Sequence, residues 1–173
     1  MSTSTLNATA GSATANSYAT LAEANQYHDD RPAVGTTWED ADDTEKTKAL
    51  LWATKLLDSN FEWYGLPTDN IQILGWPRTG LTDYNQWNSL SWTTIPREIM
   101  WATAELARQL LVEDRAADSD IETLGITSLR AGSIRLAFKE NVTAKVIPDV
   151  VGRMIPAHWG YVRGTGNREL ERC

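Results

Sequence analysis

The sequence predicts a mainly α fold: a small helical bundle with an inserted β-hairpin and an extended C-terminal tail. Three observations predict it. The segments 42–61 and 95–111 carry apolar residues at 3.6-residue spacing. A shorter stretch, about 126–139, alternates apolar and polar residues around a glycine. Residues 157–173 are rich in glycine and charge and poor in apolar side chains.

The elements follow in order. Residues 1–16, "MSTSTLNATAGSATAN", are small and polar and read as a flexible segment. They lack the basic and apolar regions of a secretory signal, which leads to the expectation of a protein made in the cytoplasm. Thr20 and Glu23 form the pattern of a capping box, and Tyr18, Leu21, Ala24 and Tyr27 recur at three-residue spacing, so a first helix is expected there. Pro32 ends it, because the residue before a proline avoids the helical region. In the second helix Ala49, Leu50, Ala53, Leu56, Leu57 and Phe61 make one stripe, with acids at its N-terminal end. Trp52 lies beside that stripe, as a contact for another element or subunit or as a core-edge side chain. Residues 62–94 hold no long periodic segment, but contain Trp63, Trp76, Trp87 and Trp92 among Gly65, Pro67, Gly75, Pro77 and Gly80. A loop of that length is functional or is held by its own side chains.

Pro96 is expected at the first position of the third helix. Its core stripe is Ile99, Thr103, Leu106 and Leu110, flanked by Ala102, Ala107 and Leu111. Leu129, Ala131, Ile134, Leu136 and Phe138 form the hairpin, and Pro148 opens a short helix that Pro156 stops. The domain boundaries are therefore 1–16 flexible, 17–156 helical and 157–173 tail, the last expected to be dispensable for folding.

The chain has 173 residues and a net charge of −7, a size that suits one domain. Residues 1–62 carry a net −6, residues 63–129 a net −5 and residues 130–173 a net +4. No apolar run approaches the roughly 20 residues that span a bilayer, so no membrane contact is expected.

Site chemistry is sparse. His28 and His158 stand at helix ends without metal-ligand spacing and read as surface side chains. Phosphate-loop, GxGxxG and GxSxG motifs are absent. The acids around Asp42 lack the glycine and final glutamate of a calcium loop. Cys173 is the one cysteine and the last residue, a poor position for a nucleophile. No enzyme activity, cofactor or metal is expected. Eight tryptophans and five tyrosines could stack on unpaired bases, but an acidic body opposes phosphate binding.

The stretches "NSYATLAEANQYHDD", "DDTEKTKALLWATKLLD", "LGWPRTGL", "IPREIMWATAELARQLL" and "GITSLRAGSIRLAF" occur in that order. In that order they resemble the head–tail connector (adaptor) family of tailed bacteriophages, whose members are also described as DnaT-like single-stranded-DNA-binding proteins. The likeness covers about residues 16–156. It implies a non-enzymatic virion protein of the neck: a ring of twelve copies between the portal protein and a tail or nozzle protein, through which double-stranded DNA passes. The alternative is a single-stranded-DNA-binding replication accessory.

In the connector reading the C-terminal segment docks on the portal. Trp159 and Tyr161 would be apolar anchors there, with Arg163, Arg168 and Arg172 pairing with portal acids. Trp52, Trp76 and Arg78 are expected at subunit interfaces or as loop anchors. Arg78 could bond groups of its own subunit or reach a neighbour.

Overall fold

A computed structural model describes residues 5–32, 37–113, 128–131, 134–137 and 145–163. Its helices are α1 (Leu21–Asp29), α2 (Thr37–Asp40), α3 (Asp43–Asn60), α4 (Arg97–Leu110) and α5 (Asp149–Met154). Its strands are β1 (Phe61–Trp63), β2 (Leu66–Pro67), β3 (Arg78–Thr79), β4 (Ser128–Ala131), β5 (Ile134–Ala137) and β6 (Gly160–Val162).

The local causes are visible at the helix ends. Thr20 Oγ1 accepts from the Glu23 N–H at 3.2 Å while the Glu23 carboxylate accepts from the Thr20 N–H at 2.7 Å. Asp42 and Glu45 repeat this reciprocal cap at α3, at 2.8 and 3.0 Å. Each box satisfies N–H groups that the first helical turn leaves without partners. Pro96 and Pro148 are the N-cap residues of α4 and α5 rather than their first helical positions.

The core forms where α3 crosses α4. Leu50, Ala53 and Leu57 from α3 meet Ile99, Ala102 and Leu106 from α4, all fully buried. Alanines at the crossing let the backbones approach closely. Helix α1 packs on both, and α5 packs on α4 through Val151. Tyr18, Phe61, Trp76 and Trp159 complete the interior.

Three expectations are corrected here. The fold is mixed rather than mainly α, because three two-stranded antiparallel pairs accompany the helices among the described residues. Only the β4–β5 hairpin, with Ser128 opposite Ala137 and Ala131 opposite Ile134, was foreseen. The other strands have two or three residues, too few to show a period. The turn of that hairpin lies outside the described residues.

The second correction concerns the C-terminal segment. Residues 157–163 are not an extended tail. Strand β6 pairs with β1, Phe61 opposite Val162 and Trp63 opposite Gly160, and Trp159 is fully buried. Any side chain at Gly160 would place its Cβ 2.5 Å from the Glu62 carbonyl oxygen, which is why this strand can lie so close to β1.

The third concerns residues 5–16, which composition led us to expect without structure. They form a turn clasped by Asn16: its Oδ1 accepts from the Asn7 N–H at 2.7 Å and its Nδ2 donates to the Thr5 carbonyl at 2.9 Å. Side-chain amides here replace secondary structure as backbone partners, and Ala15 is buried beneath the turn.

Candidate interaction surface

The loop between α3 and α4 is held by its own side chains. Arg78 is buried and turns its guanidinium onto carbonyls of its own chain. Nη1 donates to Gly75 at 2.9 Å, Nη2 to Gly65 at 2.8 Å, and Nε to Tyr64 at 2.5 Å. Of its two sequence readings, the intrasubunit one is seen. The fork geometry suits several acceptors at once, and burial pulls the Arg78 pKa below its ordinary value.

Beside it Trp76 sits in the core, its ring 5.6 Å from Trp63 and 5.4 Å from Trp159. Asp58 accepts from the Gly75 N–H at 3.0 Å, from the Trp63 indole at 3.2 Å and from the Tyr18 hydroxyl. Burial raises the Asp58 pKa and raises that of Tyr18 further. A Cβ at Gly75 would come within 2.9 Å of both Asp58 and Trp63, so the loop closes only around glycine there.

From this base rises a short hairpin arm, residues 81–90. Leu90 N–H donates to the Leu81 carbonyl at 2.9 Å, Thr82 bridges Ser89, and Asp83 N–H donates to the Asn88 carbonyl at 2.8 Å. At its tip Gln86 takes a left-handed conformation, φ 62°. The Asp83 carboxylate locks the tip, accepting from the Trp87 N–H at 2.9 Å and from Asn88 Nδ2 at 2.9 Å. These two bonds, Asn88 first, hold its pKa below the usual carboxylate value. Two contacts fix the base of the arm: Trp159 Nε1 donates to the Thr82 carbonyl at 2.7 Å, and His158 Nε2 lies 3.1 Å from the Asp83 carbonyl.

The arm thus presents aromatic side chains from a fixed backbone. On the arm Trp87 is 87% exposed and Tyr84 60%, and Trp92, two residues beyond the arm, is also 60% exposed. Single exposed hydrophobics are ordinary, but three large aromatics exposed within one short stretch of chain make this surface a candidate for contact. Between Thr79 and Pro96 the only charged side chain is Asp83.

A second aromatic surface lies at α1 and α4. Tyr27 and Trp101 face each other at 6.4 Å, and the Arg97 guanidinium stacks 5.2 Å above Trp101. Tyr27 and Trp101, with Asp30, Arg31 and Pro32, line a cleft of about 460 Å³. Beneath it the fully buried Glu105 accepts from Arg31, from Arg108 at 2.8 Å and from Gln109 at 3.1 Å. Burial works to raise the Glu105 pKa, but the bonds from Arg108 and Gln109 and the two arginine charges outweigh it and leave the value lowered. His28, expected on the surface, is buried with its ring 4.4 Å from Trp38 and its Nε2 3.2 Å from the Ala104 carbonyl. Burial lowers its pKa.

The remaining predicted residues are scattered. Trp52 is at the edge of α3, partly exposed, beside Ala49, Leu110 and Leu111. Tyr161 is partly exposed, with its ring 5.8 Å from Tyr64, and Arg163 forms a surface ion pair with Glu62 at 3.1 Å. Trp159 is corrected from docking anchor to core residue. Arg168 and Arg172 lie outside the described residues. Asp83, Asp58 and Glu105 were not singled out from sequence, although "TDYNQWN" carries the Asp-and-Asn signature of a side-chain-closed turn.

Among the described residues no group of three histidine, cysteine, aspartate or glutamate side chains is arranged to hold a metal ion, and no helix is long and apolar enough to cross a membrane.

A family model described as "Putative DnaT-like ssDNA binding protein" matches residues 5–172. The chain belongs to this family. The matched range takes in α1 to α5, the arm and β6. Its description speaks for single-stranded-DNA binding, the second of the two functions the sequence suggested, more than for a connector. No curated protein and no solved structure matches the chain.

Proposed function

We propose that this member of the DnaT-like family works by protein–protein assembly, as a head–tail connector of a tailed phage in which copies form a ring between portal and tail. The arm is the observation that carries this reading. A nucleic-acid platform combines stacking aromatics with cations that follow the phosphates. The arm offers the aromatics on a rigid backbone, and its only charge is Asp83. Aromatic side chains depleted of lysine are the composition of protein interfaces. The order of sequence motifs supports the same reading. In particles built with this chain, electron microscopy of the neck should show a ring of it beneath the portal; particles whose neck lacks it would refute the connector.

The second reading is single-stranded-DNA binding. The family description favours it, as does one geometric feature, the cleft between Tyr27 and Trp101 flanked by Arg31 and Arg97. Against it, Arg31 is engaged by Glu105 and Arg97 by Glu98 at 3.0 Å, so a phosphate would have to compete with carboxylates already in place. Loss of oligonucleotide binding on Trp101→Ala would support this reading.

A further inference from the structure

Next in the chain to the residues that anchor the arm, Ala157 and Gly160 line a groove of about 840 Å³. Its floor is apolar, formed by Phe61, Ile147 and Ile155, each at most 4% exposed. Lys145, Arg153 and Arg163 also line it, with Asp149 as the acid among them. Lys145 pairs with Asp149 at 2.7 Å and Arg163 with Glu62 at 3.1 Å, so the groove is apolar with a rim that is only slightly positive, while the arm is aromatic with an anionic carboxylate at Asp83. The volume lies within the range of pockets that enclose ring-sized groups.

We infer that the arm of one copy inserts Trp87 and Tyr84 into this groove on a second copy. Four observations on the chain select that occupant. The knob is already ordered, since Asp83 locks the tip, so little conformational entropy is lost when it is buried. Its one negative charge is opposite in sign to the net charge of the rim, where three cations face the two acids Asp149 and Glu62. Trp87 is exposed in its own subunit, so it does not fill its own groove. Finally, His158 and Trp159 hold the base of the arm while the adjacent Ala157 and Gly160 line the groove, so knob and groove are fixed to one rigid segment. A contact between two different patches of the same chain is heterologous, and repeating it about an axis generates a ring or a filament.

The inference deepens the assembly reading above and rests on it, but its test is separate. Trp87→Ala removes the knob and leaves the groove. Gly152→Arg blocks the groove and leaves the knob; a Cβ at Gly152 meets only Val162 Cγ2, at 3.8 Å, so the backbone tolerates a side chain there. By analytical ultracentrifugation at the highest soluble concentration, the wild type should sediment as larger species and each variant alone as a monomer. An equimolar mixture of the two variants should form one-to-one dimers, joined through the single intact knob and groove. Circular dichroism should show both variants folded; a variant that unfolds is replaced by Trp87→Ser or Gly152→Lys. A monomeric wild type, single variants that assemble like the wild type, or a mixture that stays monomeric would each overturn the inference. Assembly that ignores Trp87 and Gly152 would leave the connector reading standing through other surfaces, whereas absence from the neck would remove the connector reading whatever the sedimentation shows.

Discussion

The indole N–H of Trp159 donates to the carbonyl of Thr82 at 2.7 Å, across 77 residues of chain. That bond joins the C-terminal segment to the arm, and it makes the core and the exposed aromatic tip one structure. The residue expected to leave the body and seek a partner instead holds the base of the arm in place.

Trp159→Ala should therefore destabilise the whole protein by about 3–5 kcal/mol, the usual cost of removing a buried large aromatic. Trp159→Phe keeps most of the volume and loses the bond, and should cost about 1 kcal/mol while exposing the arm to proteolysis near Thr82. Denaturant titration and limited proteolysis measure the two effects. A truncation at residue 156 that melts like the full chain would contradict the placement of Trp159.

Arg78→Ala should cost about 2–4 kcal/mol, since the carbonyls of Tyr64, Gly65 and Gly75 lose a charged donor together. Arg78→Lys should recover only part of this, because one ammonium cannot serve carbonyls that surround a planar fork. Thermal melts of the three proteins give the comparison; equal stability of the lysine variant would mean that the fork geometry is unimportant.

Acid should weaken the fold in two steps, His28 first and Glu105 second. The folded-state pKa of His28 lies below 6.5, so its contribution is complete above pH 6.5 and falls as pH drops toward the lowered value. Glu105 is likewise lowered, below 4.5. Its contribution is complete above that pH and is lost as pH falls through the folded value. Asp58 runs the other way: its pKa is raised above 3.8, so its contribution is complete below pH 3.8 and lost as pH rises through the folded value. Stability measured against pH should show the first loss just below 6.5, and His28→Phe should flatten that part alone. Glu105→Gln should cost about 3 kcal/mol at neutral pH, because it leaves Arg31 and Arg108 without their buried counter-charge.

Leu56→Ala and Leu106→Ala should each cost about 2–5 kcal/mol. Leu106 has no exposure and Leu56 only 5%, so an unchanged melting temperature for either would place the α3–α4 core wrongly.

The long helices were legible because their signal is dense. Each of the six stripe residues from Ala49 to Phe61 is buried, and the Thr20–Glu23 cap is where its spacing put it. What escaped was non-local. Strand β1 meets β6 only because the chain returns after about a hundred residues, and three residues cannot carry a period of two. Glu105 escaped because an acid on a stripe reads as a break in the pattern until its arginines, one of them 74 residues away, are brought to it. The candidate site was partly visible: Trp87 and Trp92 stood out as aromatics in a glycine-rich loop, but the Asp83 clasp that makes the arm rigid appears only when the backbone closes.

The claim that the exposed aromatics serve protein rather than nucleic-acid contacts is tested most directly by fluorescence anisotropy of a labelled single-stranded oligonucleotide at physiological salt. The wild type, Trp87→Ala and Trp101→Ala should all bind weakly and alike, since the arm offers no cation and the arginines near Trp101 are held by carboxylates. Submicromolar binding by the wild type with a steep salt dependence, lost when either tryptophan is removed, would contradict the account and establish single-stranded DNA as the ligand.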